Sequence, residues 1–236
     1  RTPLWFSSYE GHQQVVRLHC VAGADNDTVW QPGTTPLLIA SRNGHQEVVR
    51  YLCEAGADKD KATQTGAAGM TPLHIASHNG QIGAISLLLA KNAEMNAQTK
   101  SGHTPLHIAV QKNHVEAIEV LLRNGAKVDV KLNSGHTPLH IASDYNRIGA
   151  FRVLLEKGVE VDKDDLTHIV KTVRQAMDMI VPGPMAVMKW IETEVSKSIK
   201  RGATDVEWVT PSGFVVKQHI MKKKVERLDL QLLGRC

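Results

Sequence analysis

Residues Ser101 to Asp129, SGHTPLHIAVQKNHVEAIEVLLRNGAKVD, are one copy of a unit that occurs five times in this 236-residue chain. The copies align on the tripeptide Thr-Pro-Leu, which begins at Thr2, Thr35, Thr71, Thr104 and Thr137, in steps of 33, 36, 33 and 33 residues. A unit of this size cannot bury its apolar face alone, so the regular spacing predicts a stack in which neighbouring copies share one continuous core.

Each copy predicts two helices. The threonine, numbered position 0 of its repeat, supplies a capping hydroxyl, and the proline fits the first helical turn, where its missing N–H does no harm. Apolar residues follow on one face, as Leu106, Ile108 and Ala109 do in the fourth copy. A second helix follows, with paired apolar positions four apart, as in Ala117, Ile118, Leu121 and Leu122.

Glycine and asparagine recur where the helices are predicted to end, because these residues enter the left-handed backbone region at the lowest cost. The first stop, at position 9, holds Gly11, Gly44, Gly80, Asn113 and Asn146, and the second, at position 21, holds Gly23, Gly56, Asn92, Gly125 and Gly158. A further glycine stands two residues before each later threonine (Gly33, Gly69, Gly102 and Gly135), which suits a hairpin turn.

Three copies contain the hexapeptide T-P-L-H-I-A without change, with His74, His107 and His140 at its fourth place. A 33-residue period with this motif resembles the ankyrin-repeat family, over residues 1–162. The resemblance implies a mainly α-helical, curved solenoid of about five repeats, the first without its leading hairpin. It also implies a histidine ring that bonds the threonine hydroxyl, and binding of macromolecules through the hairpin tips and the inner face of the first helices.

The net charge of +4 belongs to the last third of the chain. Residues 1–162 carry 15 Lys+Arg and 15 Asp+Glu, whereas residues 163–236 carry 13 and 9. The repeats therefore show no overall bias toward nucleic acid or a membrane surface. No apolar run approaches the roughly 18 residues that a membrane span requires. The first residues, Arg1 to Leu4, contain no signal or transit peptide, and the chain opens inside a repeat, as a truncated protein would.

The cysteines indicate an intracellular, reducing compartment. Cys20 and Cys53 occupy the same position of successive repeats, on packed helices expected about 8–10 Å apart. A disulfide requires Cα atoms within about 7 Å, so free thiols are predicted.

The sequence predicts neither a catalytic nor a metal site. Twelve histidines invite a metal hypothesis, and His103 and His107, like His136 and His140, are four residues apart. No cysteine or carboxylate completes a tetrahedral set, so structural and surface roles are favoured. Phosphate-binding glycine loops, G-x-S-x-G and H-E-x-x-H are also absent from the sequence. We therefore expect a monomeric, non-enzymatic protein without cofactors.

The residues that the fold does not dictate are the candidates for partner binding. On the inner face of the first helices and on the hairpins they are Arg42, Asn43, Met70, His78, Asn79, His103, Gln111, Lys112, His136, Asp144 and Tyr145. Tyr145 is the best anchor, because aromatic and arginine side chains dominate interface energetics. For each of them, the alternative is a solvated loop residue with no binding role.

The repeat pattern stops after Asp162, so a separate α+β segment is predicted over residues 163–236. Helical spacing predicts helices at 166–180 and 185–200, separated by Val181-Pro182-Gly183-Pro184, and these helices could also cap the stack. Alternating apolar residues then predict a β-hairpin with strands at 206–209 and 214–217, and a further strand at 228–232.

Three stretches of this segment, VPGPMAVMKWI (181–191), RGATDVEWVTPSGFVVKQ (201–218) and ERLDLQLLG (226–234), resemble single-subunit, bacteriophage-type RNA polymerase. The resemblance implies that the last stretch leads into a hairpin that reads promoter base edges, with Arg227 and Asp229 facing the major groove. Arginine recognises guanine and aspartate accepts from cytosine. Candidate nucleic-acid contacts are Lys222, Lys223, Lys224, Arg227 and Asp229, with DNA affinity expected to be weak.

The catalytic elements of that polymerase family are missing from this sequence. It contains no Tyr-Gly pair and no His-Asp-Ser, and two-metal phosphoryl transfer requires carboxylate ligands. The sequence thus predicts a protein-binding module of the ankyrin type, joined to an incomplete polymerase-like segment. One alternative is part of a DNA-directed RNA polymerase with an ankyrin appendage. The other is an artificial join of two coding sequences.

Overall fold

The computed structural model describes residues 2–30, 33–63 and 69–157, and the strands at 205–209 and 215–219. The helices in these residues are α1 (Pro3–Glu10), α2 (Gln13–Val21), α3 (Pro36–Asn43), α4 (Gln46–Glu54), α5 (Pro72–His78), α6 (Ile82–Ala90), α7 (Pro105–Lys112), α8 (Val115–Arg123), α9 (Pro138–Asp144) and α10 (Ile148–Glu156). The helices predicted at 166–180 and 185–200, and the strand predicted at 228–232, lie outside the described residues.

The helices form two rows. Every odd-numbered helix begins at the proline of Thr-Pro-Leu and contacts the next odd-numbered helix, from α1 to α9. The even-numbered helices from α2 to α8 contact one another in the same order. Each repeat thus adds one first helix and one second helix, which confirms the predicted helical solenoid.

The threonine caps are present in all five repeats. Each threonine has extended backbone, and its hydroxyl oxygen accepts a hydrogen bond from the backbone N–H of position 3, at 3.2 to 3.4 Å. The proline that follows occupies the first helical turn, as the sequence predicts.

Asparagine replaces glycine at three helix ends without a change of backbone. Asn92, Asn113 and Asn146 have φ of 60°, 59° and 50°, and they are the non-glycine residues with positive φ in the described part of the chain. The glycines at the equivalent positions have φ between 65° and 85°, apart from Gly125 at 92°. The predicted left-handed stops are therefore confirmed, except at Gly158, which lies outside the described residues.

Leucine at positions 2 and 17 fills the core between repeats. At position 2, Leu37, Leu73 and Leu139 have no exposed surface. At position 17, Leu52, Leu88, Leu121 and Leu154 are equally buried. Replacing one such leucine with alanine typically costs about 2–5 kcal/mol of unfolding free energy. The leucines at these two positions therefore provide much of the stability of the stack.

The first repeat leaves its apolar face uncovered. Val15 is 42% exposed, whereas Val48, at the same position of the second repeat, is 1% exposed. Phe6, Leu18 and Val21 are also exposed. In the later repeats position 13 is buried, at Val48, Ala84, Ala117 and Ala150, so the exposed Val15 is the exception among the five repeats.

The two cysteines in the described part of the chain are free thiols. Cys20 and Cys53 are both half-buried and form no disulfide. Burial raises the pKa of both thiols, which makes them less reactive than an exposed cysteine.

The chain divides into two compact units, residues 1–153 and residues 154–236. In the second unit, β1 (Asp205–Val209) pairs antiparallel with β2 (Val215–His219), with Asp205 opposite His219 and Val209 opposite Val215. These strands overlap those predicted at 206–209 and 214–217. Among the helices that the structure describes, none has the length and apolar character of a membrane span.

Candidate functional site

A buried histidine links each T-P-L-H motif to its surroundings. The Nε2 of His74 donates to the backbone carbonyl of His103, at 2.9 Å, in the hairpin of the next repeat. In the neutral ring the Nδ1 must then accept, and it lies 2.8 Å from the hydroxyl of Thr71 and 3.2 Å from its backbone N–H. The same threonine–histidine contacts recur at Thr104 with His107 and at Thr137 with His140.

Burial keeps these rings neutral. It is the main reason why the pKa of His74 and that of His107 fall from 6.5 to about 4. At neutral pH both imidazoles are therefore uncharged; His74 is bonded at both ring nitrogens, and His107 contacts Thr104 through its Nδ1.

The spaced histidine pairs have no third ligand beside them in the part of the chain that the structure describes. The rings of His103 and His107 lie 6.1 Å apart, and those of His136 and His140 lie 5.5 Å apart. Across residues 2–30, 33–63 and 69–157, no group of three His, Cys, Asp or Glu side chains is arranged to hold a metal ion.

A ladder of side chain to backbone bonds connects the first helices. In each repeat from the second onward, position 10 donates to the carbonyl of position 7 in the preceding repeat. The pairs are His45 with Tyr9 (2.9 Å), Gln81 with Arg42 (3.2 Å), His114 with His78 (3.1 Å) and Arg147 with Gln111 (2.8 Å). We call these residues the position-10 ladder. It fixes the C-terminal end of each first helix against the next repeat.

A second set of bonds connects the loops after the second helices. Position 25 accepts from the backbone N–H of position 23 in the following repeat: Asp27 from Asp58 (3.1 Å), Asp60 from Glu94 (2.8 Å) and Asn96 from Lys127 (3.0 Å). This explains why an aspartate or asparagine recurs four residues after each second stop.

The predicted partner-binding residues lie at three repeat positions, which together we call the inner face. Arg42, His78, Gln111 and Asp144 are at position 7, and Asn43, Asn79, Lys112 and Tyr145 are at position 8. Met70, His103 and His136 immediately precede a threonine. All eleven are exposed or half-buried. The backbone carbonyl of position 7 is also the acceptor of the hydrogen bonds in the position-10 ladder.

Four of these side chains form hydrogen bonds within the repeats, which are Asn43, Asn79, His103 and His136. The amide of Asn43 donates to the carbonyl of Tyr9 at 2.9 Å, and that of Asn79 to the carbonyl of Ile75 at 2.8 Å. The Nδ1 atoms of His103 and His136 lie 2.9 Å from the hydroxyls of Ser101 and Ser134, two residues earlier in the hairpin.

Arg42, Lys112 and Tyr145 extend from the inner face into solvent. Arg42 and Lys112 are exposed, and Tyr145 is 46% exposed, with the Arg147 guanidinium carbon 6.0 Å from its ring centre. His78 lies between the two cations in the row. Burial, and then the positive charges of Lys112, His114 and Arg42, lower the pKa of His78, while a hydrogen bond to Asn79 opposes them.

Several ion pairs involve glutamates of the second helices. Arg50 pairs with Glu47 and Glu54, Lys91 with Glu54, and Arg123 with Glu119. Within the residues that the structure describes, Arg42 and Lys112 form no ion pair. Lys222, Lys223, Lys224, Arg227 and Asp229, the predicted nucleic-acid contacts, lie outside the described residues.

The sequence interpretation missed the position-10 ladder. Its signal is a donor side chain (His, Gln or Arg) that recurs one residue after each first stop. The pattern becomes meaningful only when the distance between neighbouring first helices is known, because the acceptor belongs to the preceding repeat.

Comparison with known proteins agrees with this geometry. The family model described as ankyrin repeats (3 copies) matches residues 1–63, 58–131 and 73–165, which together cover more than half of the chain. No curated protein sequence matches the chain. The repeat spacing, the capped helix pairs and this match together place the chain in the ankyrin-repeat family.

Proposed function

We propose that the chain binds another protein through its inner face, with contacts centred on Arg42, Lys112 and Tyr145, and that it has no catalytic activity. Ankyrin repeats are protein–protein interaction modules. The single observation that carries the proposal is a contrast along the inner face: the ladder holds the backbone carbonyls of Arg42, His78 and Gln111, while the side chains of Arg42, Lys112 and Tyr145 extend into solvent.

Rigidity favours this surface. A partner that binds a preformed surface loses less conformational entropy on binding than one that must order a flexible loop. Tyr145 combines a large ring with one polar hydroxyl, which is the side-chain type that dominates binding energy at interfaces. The Nδ1 atoms of the buried histidines His74 and His107 contact threonine hydroxyls, which supports a structural role for these two rings.

The test is a partner capture with the full chain, followed by affinity measurements with the identified partner. Tyr145→Ala should weaken binding about tenfold or more, as expected for an aromatic anchor. Arg123→Ala and Glu119→Ala are the matched controls, because both residues lie on α8 and pair with each other. A loss with these outer variants and none with Tyr145→Ala would place the interface on the second helices.

A second proposal concerns residues 164–236. The W-V-T-P-S-G-F block (208–214) supports a relationship to phage-type RNA polymerase, in which the stretch matching residues 226–234 leads into the promoter-reading hairpin. The β1–β2 pairing overlaps the separate β-hairpin predicted from the alternating apolar residues at 206–209 and 214–217. The repeats and this segment belong either to a natural polymerase with an ankyrin appendage or to an artificial chimera. Sequencing one continuous transcript across residues 155–175 distinguishes these two explanations. Catalytic carboxylates encoded in the same gene would support the polymerase.

For the chain itself we propose weak, salt-sensitive DNA affinity confined to this segment, and no nucleotide incorporation. Phosphate-driven binding falls steeply with salt, because bound counterions are released. A titration of promoter-like and scrambled duplexes at two salt concentrations tests this. Salt-resistant discrimination between the duplexes, or nucleotide incorporation by the purified chain, would contradict the proposal.

A further inference from the structure

We infer that the partner presents an acidic, extended peptide segment to the inner face, and that Arg42 and Lys112 are the residues that select it. This inference rests on the proposed protein-binding function, because it names the chemistry of the partner at the same surface.

The middle of the inner face has one sign of charge. In the second, third and fourth repeats, the inner face and the adjacent position 10 hold no carboxylate. They hold two permanent cations, Arg42 and Lys112, and several histidines, including His45, His78 and His114. The depressed pKa of His78 has Lys112, His114 and Arg42 among its causes, so these groups share one local field.

The two permanent cations are available for a partner. Both are exposed and form no ion pair in the described part of the chain, whereas Arg50, Lys91 and Arg123 on the second helices are each paired with a glutamate. The neighbouring amides of Asn43 and Asn79 already donate to backbone carbonyls. An incoming carboxylate would therefore find its strongest partners in Arg42 and Lys112.

The spacing of these cations matches an extended chain. Packed helices are about 8–10 Å apart, so Arg42 and Lys112, two repeats apart, are separated by about 20 Å. An extended peptide advances about 3.3 Å per residue, so carboxylates about six residues apart would reach both. The bonds of Gln81 to the Arg42 carbonyl and of His114 to the His78 carbonyl keep this spacing fixed.

A protein segment suits this surface better than a nucleic acid. Glu10 at position 8 of the first repeat and Asp144 at position 7 of the fifth place negative charge at the two ends of the row. A nucleic acid continues past both ends with a charge at every phosphate, and would meet these carboxylates. A short acidic segment between them avoids that repulsion.

The experiment uses the full chain and a labelled Gly/Ser peptide of about 15 residues, with glutamates about six residues apart. The comparison ligands are the same peptide with glutamine in place of glutamate and a single-stranded oligonucleotide of similar length. We expect the glutamate peptide to bind best and to weaken as salt is raised. The Arg42→Gln/Lys112→Gln double variant should weaken it roughly fivefold, whereas Arg123→Gln should leave it unchanged.

Charge reversal gives a second test, whose outcome does not depend on how tightly the native chain binds the glutamate peptide. The Arg42→Glu/Lys112→Glu variant should prefer a lysine version of the peptide over the glutamate version. Equal binding of the glutamate and glutamine peptides, an equal loss with Arg123→Gln, or a preference for the oligonucleotide would each overturn the inference.

Failure of this inference is distinguishable from failure of the proposed function. If Tyr145→Ala weakens binding of the identified partner and the Arg42→Gln/Lys112→Gln variant does not, the acidic-segment inference is wrong and the inner face remains the interface. If neither variant changes binding of that partner, the proposed function fails as well.

Discussion

At the residue scale, each T-P-L-H motif joins a capping threonine to a histidine ring by hydrogen bonds. The threonine hydroxyl accepts from the helix backbone and contacts the imidazole, and in the third repeat that imidazole also reaches the next hairpin. One pair of side chains thus caps a helix and joins two repeats. Trp5, at the histidine position of the first repeat, makes a comparable link, because its Nε1 donates to the Thr34 hydroxyl at 3.1 Å.

Replacement of a capping threonine should therefore destabilise the stack. Thr104→Ala removes the acceptor for the His107 N–H and should cost about 1 kcal/mol of unfolding free energy, measured by urea denaturation. Thr104→Ser is the matched control, because it keeps the hydroxyl and should recover most of the loss. Equal stability of the alanine variant and the native chain would show that the cap contributes nothing.

The buried histidines predict a pH dependence with a definite sign. The pKa of His74 is about 4 in the folded chain and about 6.5 when unfolded, so above pH 6.5 the ring is neutral in both states and has no effect. As the pH falls toward 4, the unfolded chain binds a proton that the folded chain does not, and stability is lost. Between pH 6.5 and pH 5 the loss should be about 2 kcal/mol for His74.

The control for this pH effect is supplied by the second repeat, where Leu38 occupies the histidine position. His74→Leu should lower stability at neutral pH, because the bond to the His103 carbonyl is lost, but it should reduce the slope of the stability curve between pH 6.5 and pH 5, where the contribution of His107 remains. Denaturation at several pH values measures both effects. An unchanged slope in the variant would rule out His74 as the titrating group.

At the element scale, the position-10 ladder fixes each first helix against the next repeat. His114→Ala leaves the His78 carbonyl without its donor and should cost about 1 kcal/mol. His114→Gln should be better tolerated, because Gln81 spans the same gap at 3.2 Å. Thermal unfolding of both variants checks the order. A glutamine variant less stable than the alanine variant would mean that packing of the ring, and not its hydrogen bond, is what matters.

The helix boundaries were predictable from the sequence because their causes are local. The threonine hydroxyl, the proline and the left-handed residue each act within one turn of helix, so their spacing alone defines the helices. Gly80 has a second role that spacing does not show. A Cβ there would lie 2.8 Å from the His114 ring, so the glycine also admits the ladder residue of the next repeat. Such contacts depend on how repeats pack, so they cannot be predicted from the sequence of a single repeat.

The candidate site was predictable as a set of repeat positions, but the separate roles of its residues were not. Asn43 and Asn79 satisfy backbone carbonyls, whereas Arg42 and Lys112 extend into solvent. All four are polar residues at the end of a first helix, so composition does not distinguish them. The distinction comes from which carbonyls lie within reach of each side chain.

At the scale of the whole molecule, the first repeat differs from the second in the exposure of its second helix. Val15 and Val48 occupy the same repeat position, yet they are 42% and 1% exposed. Val15→Thr should change the unfolding free energy by less than about 0.5 kcal/mol, as is usual for surface substitutions. Val48→Thr adds a buried hydroxyl and should cost about 1–3 kcal/mol in urea denaturation. Equal costs for the two would show that the face of the first repeat is covered in solution.

Binding of a protein through the inner face is best tested by hydrogen exchange of the full chain with and without the identified partner. We expect slower exchange on binding at the C-terminal ends of the first helices, in residues 42–45, 78–81, 111–114 and 144–147. The second helices should exchange at the same rate in both samples. Protection confined to the second helices, or to residues 205–219, with no change at the ends of the first helices, would contradict the claim.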